Sequence, residues 1–207
     1  IIKILIIKDI DRIVGLFNDV ISSYHILDDV NQPYKNPFLE GSLESLFFHK
    51  NWIDTVQWHQ EDLIRNPQID PIESLKIKRK IDALNQERTD VVELLDSYIF
   101  QQFESIIPEY DATLNTESPA WAFDRLSILC LKIYHMKIEA MRKDADLAHV
   151  ANCQRKLDIL NEQLQDLSLA ISQLLDDYGN GVKKMKVYRQ MKMYNDPSLN
   201  PILYNQK

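Results

Sequence analysis

The sequence predicts an all-α protein, a multi-helix bundle with long antiparallel helices and one four-heptad helix toward its C-terminal end. Three observations carry this. Apolar residues recur at three- and four-residue steps through most of the chain, the period of a helix with one buried face. Only four glycines occur, at 15, 41, 179 and 181, too few for a turn-rich all-β fold or a Gly-rich phosphate loop. The eight prolines cluster, leaving long proline-free stretches between them. At 207 residues, 45% hydrophobic and 27% charged, the chain reads as one helical domain over 1–207.

The elements follow in order. The opening Ile-Ile-Lys-Ile-Leu-Ile-Ile-Lys is too short, and too soon followed by Asp9 and Asp11, for a secretory signal; it reads as the start of a packed helix. Ile10, Val14, Phe17, Ile21 and Tyr24 place a first helix over about 9–28. Asn31 to Pro37 is a loop. Gly41-Ser42 then offers an N-cap for a second helical region from Leu43 to Arg65, with a break expected near Lys50-Asn51. Asp70-Pro71-Ile72-Glu73 is a start signal in which Asp70 caps, Pro71 suits the first helical position and Glu73 reaches back as in a capping box. That helix runs to about Phe103, and Pro108 closes it. Ser118-Pro119 opens the next, through about Arg142. Val150, Cys153, Leu157, Leu160, Leu164, Leu167, Ile171 and Leu174 alternate three and four residues apart, a spacing that predicts a coiled-coil-like seam. Gly179-Asn180-Gly181 ends it. A shorter helix to about Tyr194 and a Pro-containing tail complete the chain.

Charge narrows the function classes. The net charge of −7 argues against general nucleic-acid binding. Yet residues 183–207 carry Lys183, Lys184, Lys186, Arg189, Lys192 and Lys207 against Asp196 alone. Such a basic tail most simply folds back onto its acidic body; the alternative is a docking strip for an anionic ligand, lipid surface or partner. Cys130 and Cys153 provide neither a disulfide framework nor a Cys-based metal site, which points to a reducing compartment and, by default, the cytoplasm. No apolar run reaches the ~18 residues that a membrane helix needs.

Function must come from residues that break the apolar pattern. His59 falls in a stripe with Trp52, Val56 and Leu63, with Asp62 three residues on. A histidine beside a carboxylate serves as a general base, a metal ligand, a pH switch or simply a satisfied core residue. On the next helix Ile77, Ile81, Leu84, Val92, Leu95 and Ile99 define the buried stripe, and Arg88 stands in its middle. Asn85 flanks it, with Lys78, Asp82 and Asp96 along the adjoining edge. A buried guanidinium requires a carboxylate, a carbonyl or an anionic ligand, which leaves two readings, an ion-pair network or a phosphate or carboxylate site. On the helix opened by Ser118-Pro119, Asp124, Lys132, His135 and Glu139 read as one polar line facing Arg88 or His59.

At these motifs the chain resembles an uncharacterised bacterial family, domain-of-unknown-function family forty-two fifty-four. The matching segments are WHQED (58–62), KRKIDALNQERTDVVELLD (78–96), SPAWAFDRLSILCLKIYHM (118–136), residues 153–167 and KVYRQMKMYNDPSLNPILY (186–204). The resemblance implies a bacterial, cytoplasmic helical protein, from families often encoded near surface-polysaccharide genes. It brings no activity and no catalytic residue.

The leading expectation is therefore a binding or accessory module for a small anionic metabolite or a partner protein, with self-association as a further option. Its candidate ligand-binding residues are His59, Asp62, Lys78, Asp82, Asn85, Arg88, Asp124, Lys132 and His135, with no cofactor. The alternative is a helical nucleotide pyrophosphatase using Mg²⁺ on Asp62, Glu93 and Asp96. Reach disfavours it, because Asp62 and Glu93 lie ~8 Å and ~35 Å from their shared turn at 1.5 Å per residue. Serine-hydrolase and di-iron patterns are absent.

Overall fold

A computed structural model describes residues 7–193 and 196–205. The opening apolar patch lies outside these residues except for Ile7, which is fully buried, and Lys8. The described chain is an all-α bundle: α1 (Ile10–Tyr24), α2 (Leu43–Ile64), α3 (Pro71–Phe103), α4 (Pro119–Ala140), α5 (Leu147–Gly179) and the single-turn α6 (Pro201–Tyr204). None of these helices is long and apolar enough to cross a membrane.

Start signals are used much as their chemistry dictates. Asp9, Ser42, Asp70 and Asp146 each accept a first-turn backbone N–H through the side chain. The expected capping box at Glu73 does not form, because its carboxylate takes Lys76 instead (3.2 Å). Ser118 makes no side-chain cap. Its hydroxyl donates to Asp96 Oδ2 (2.5 Å), while Asp96 Oδ1 accepts the Ala120 N–H (3.1 Å). A buried carboxylate from α3 thus caps α4 from outside. Burial pushes the Asp96 pKa up, against the Ser118 and Ala120 hydrogen bonds that pull it down.

Contacts fix the helix directions. His49–Glu87 and Gln57–Asn85 pair α2 with α3 antiparallel. Arg88–Asp124 and Asp96–Ser118 do the same for α3 and α4, and Glu139–His149 for α4 and α5. By contrast, Arg12–Glu44, Phe17–Phe47 and Tyr24–Trp52 run α1 parallel to α2. The long connection 25–42 therefore carries the chain back along α2, with Tyr34 against Phe48, His49 and Trp52, and Asn36 donating to the Ser45 carbonyl (3.0 Å).

α2 is the central helix. Asn51 to Val56, a turn and a half without a gap, is buried, so α1, α3 and α4 must cover it on different sides. The expected break at Lys50-Asn51 does not occur, because both side chains have partners inside the bundle. The predicted seam on α5 packs along α4, but only Cys153, Ile171 and Leu174 of it are fully buried; the rest, lying on one neighbour, stay half-exposed.

The predicted short helix after Gly181 is replaced, over 182–193, by an extended strap. Thr113 donates its N–H to the Val182 carbonyl (3.1 Å) and accepts from the Lys184 N–H (2.8 Å). Farther on, Arg189 and the Gln190 N–H hold Glu93, and Lys192 donates to Thr89 Oγ1 and the Asn85 carbonyl. The basic segment thus lies on the acidic body along α3. Gly181 makes the turn into it at φ +74, where an added Cβ would meet the Ile107 carbonyl at 3.0 Å. Gly181→Ala is expected to cost about 1–2 kcal/mol, read as a lower urea midpoint.

Candidate functional site

The middle of the bundle holds four charges. Lys50, one side-chain turn from Asp54 on α2, pairs with it and with Asp124 Oδ1 (2.9 Å). Arg88 closes the set from α3, donating through Nε to Asp124 Oδ1 (2.8 Å) and through Nη2 to Oδ2 (2.5 Å), with Asp54 Oδ1 at 3.5 Å. The Ser127 hydroxyl donates to Asp54 (2.5 Å) and accepts from Asn51 Nδ2 (2.9 Å). Two cations meet two anions, so the network is neutral as well as desolvated.

Burial sets the titration of these groups. It raises the Asp54 pKa, outweighing the pull of Lys50. It would do the same at Asp124, but the hydrogen bonds from Arg88 and the charge of Lys50 hold that carboxyl below its ordinary value. Arg88 goes up, because Asp124 more than offsets its own burial.

Above this network a cleft of about 380 Å³ opens between α2, α3 and α4. Arg88 and Asp54 form its floor, Trp58, Ile128 and Leu131 its apolar wall, and Asp62 with the Glu61–Arg65 pair its rim. The Arg88 side chain is 25% exposed, and its Nη1 takes part in none of the bonds to Asp54 or Asp124.

The predicted residues separate into three groups. Arg88 and Asp124 meet as one unit; Asp62 shares their cleft, and Asn85 adjoins it through Gln57 (3.0 Å). Lys78 and Asp82 do not join them. They form an exposed ion pair of their own, since at 100° per residue they stand about 80° and 120° around α3 from Arg88. Lys132 is likewise exposed, about 80° from Asp124, whereas His135, eleven residues on, falls within about 20° of it. The single polar line expected on α4 therefore splits: Asp124 and His135 face inward, Lys132 faces solvent, and Glu139 pairs with Arg142 and His149.

His59 and His135 do come together, on the far side of Trp58 from the cleft. The partner of His59 is not Asp62 but His25, at the end of α1, with the two Nε2 atoms 3.1 Å apart and Asp28 Oδ1 at 3.7 Å. His135 stacks flat on Trp58 (4.7 Å, 2°), and its Nε2 is buried without a hydrogen-bond partner. Burial lowers the His59 pKa, with Asp28 acting against it and His25 with it. Burial, helped by His25 and His59, brings His135 down to about 4.

The three acids of the magnesium alternative do not meet. Asp96 is enclosed by Ser118 and Ala120, Glu93 is held by the strap, and Asp62 stands at the cleft rim.

The family profile described as a protein of unknown function (DUF4254) matches residues 44–187. The chain belongs to this family. No curated protein and no solved structure matches it. The DUF4254 match covers α2 to α5 and so contains the whole charge network, but His25 and Asp28 precede it.

In this DUF4254 protein the residues that sequence reasoning passed over are Lys50, Asn51, Asp54 and Ser127, together with His25. Lys50 and Asp54 carry a legible signal, two opposite charges four residues apart between Phe47-Phe48 and Val56. His25 carries none, since its neighbours in space come from α2 and α4.

Lys50→Met is expected to cost about 3–5 kcal/mol by leaving a buried acid without its cation, whereas Lys78→Met leaves the urea midpoint unchanged. The acid limb of stability has a definite sign. Asp124 contributes fully above its ordinary value of about 4 and loses that contribution as pH falls through its lowered one. Asp54 acts oppositely, its stabilisation declining as pH rises through its raised value. Urea unfolding between about pH 2 and pH 6 is therefore expected to show a shallower acid slope in Asp124→Asn than in the native chain.

Proposed function

We propose that this protein is a binding module that takes a small molecule with an anionic group into the cleft between α2, α3 and α4. The observation that carries this reading is Arg88 at the cleft floor: it is anchored by two carboxylates and still a quarter exposed. A guanidinium fixed in this way presents its remaining donors without further ordering cost, which suits a phosphate or carboxylate. The apolar wall of Trp58, Ile128 and Leu131 favours a ligand whose other end is a ring or a sugar face. Asp54, Glu61 and Asp62 leave the lining short of positive charge, so a group with at most about two negative charges fits better than a triphosphate.

The link to surface polysaccharides implied by the resemblance makes sugar phosphates and sugar nucleotides the first compounds to test. The accessory role beside a partner enzyme rests on that resemblance alone. The pyrophosphatase alternative lacks an assembled constellation, with Glu93 and Asp96 committed elsewhere and Asp62 apart from both at the cleft rim.

Thermal unfolding with a panel of sugar phosphates, sugar nucleotides and nucleoside triphosphates tests the proposal, because a ligand bound only by the folded state raises the midpoint. A saturable rise of several degrees is expected with a sugar phosphate or sugar nucleotide. Asp62→Asn is expected to change the affinity without disturbing the buried network. No shift with any compound, or a shift unchanged by substitutions at the rim and at Trp58, removes the reading. Consumption of triphosphate by the pure protein would overturn it in favour of hydrolysis.

A further inference from the structure

We propose that His25, His59 and His135 form a binding site for a divalent first-row transition metal ion of the zinc type, with the Asp28 carboxylate at its solvent edge. The site lies apart from the cleft and does not depend on the reading given to it.

The geometry is that of a ligand shell before the ion arrives. One ring nitrogen from each histidine lies within 4.8 Å of the other two. Tetrahedral zinc with bonds of 2.0–2.1 Å places neighbouring donor atoms about 3.3 Å apart. The His25–His59 nitrogen separation of 3.1 Å and the Asp28–His59 separation of 3.7 Å fall on either side of that value. The third nitrogen, from His135, lies within 4.8 Å of both of the others.

Each ring is also aimed. His25 Nδ1 donates to the Ile21 carbonyl (2.6 Å), which fixes the tautomer and leaves the lone pair on Nε2, the outer hydrogen bond that metal-bound histidines usually make. His59 is stacked on Tyr24 (5.2 Å, 12°), His135 lies flat on Trp58, and Tyr134 packs on His25 (4.3 Å). His25 and His59 hydrogen-bond each other through Nε2 (3.1 Å), a contact that an ion shared between the two nitrogens would replace. The buried Nε2 of His135 has no partner at all, a costly arrangement for a polar atom unless something else binds it.

Asp28 stands beside the cluster at φ +50, its N–H on the Tyr24 carbonyl (3.1 Å), a left-handed conformation that Asp accepts past a helix end. That conformation turns the chain immediately after α1 and sets the carboxylate on the solvent side of the cluster, 58% exposed. Three neutral imidazoles and one carboxylate are a donor set suited to zinc and its neighbours rather than to magnesium or calcium, which take oxygen shells.

The test uses the full chain stripped with a chelator and titrated with Zn²⁺ calorimetrically, and with Co²⁺ by visible absorption. Expected are one ion per chain, a raised thermal midpoint, and an intense tetrahedral cobalt band. His25→Gln, at a helix end outside the core, is expected to weaken zinc binding at least tenfold and to collapse the cobalt band, with unchanged circular dichroism. His59→Gln is expected to act in the same way, and Asp28→Asn less strongly. His149→Gln, in the separate Glu139–His149–Cys153 group, is expected to change nothing. Absence of stoichiometric binding overturns the proposal. So does binding that survives His25→Gln or disappears in His149→Gln.

Discussion

The bundle depends on a ring of four charges taken out of water where α2, α3 and α4 cross. Lys50, Asp54, Arg88 and Asp124 are all at least three-quarters buried, with Lys50 at 1% exposure. Removing ions from water costs several kcal/mol each, and their mutual attraction repays this only when every charge is matched in good geometry. That requirement constrains more than stability. An apolar core tolerates small rotations and slips, but this ring closes only with α2, α3 and α4 in one axial register, so its net contribution is to specify the arrangement. The external cap from Asp96 to Ser118 and Ala120 repeats the device one level along α3, again joining that helix to α4 through a carboxylate.

The helices themselves were legible because each follows from local chemistry. Asp70-Pro71 and Ser42 mark starts, Gly181 marks a stop, and three-four apolar spacing marks faces; none needs knowledge of a neighbour. The same local reasoning found Arg88 and Asp124, since a charge in an apolar stripe is conspicuous in one dimension. It missed Lys50 and Asp54 because two polar residues beside an asparagine resemble an interruption as much as a buried pair, and only the surrounding helices decide between these. It set Lys78, Asp82 and Lys132 in the site because proximity in sequence was weighed more heavily than angle around the helix. The strap over 182–193 reads as a short helix in the sequence, whereas its geometry comes from ion pairs and hydrogen bonds with α3 and with the 109–113 loop.

Trp58 separates two chemically distinct regions. Toward the cleft it stands beside Arg88 and Asp54, a strongly charged and internally compensated floor; on its other side it stacks on His135, where the groups are imidazole rings. An indole between them keeps the carboxylates of the network from the imidazoles, so the histidines do not acquire the buried counter-ions that would keep them protonated. Asp28, at the solvent edge, offers them a negative charge, with Asp62 adding a smaller one at His59.

The parallel course of α1 and α2 has a consequence for how the molecule assembles. Neighbouring antiparallel helices find each other through short turns, but α1 reaches its place only after residues 25–42 have travelled back along α2, a closure whose entropy must be met before any contact rewards it. His25 and Asp28 ride at the start of that excursion, while His59 and His135 belong to helices joined independently of it. The imidazole trio therefore exists only once the N-terminal helix has seated, and any ion captured there would act as a clasp between that helix and the two that supply His59 and His135.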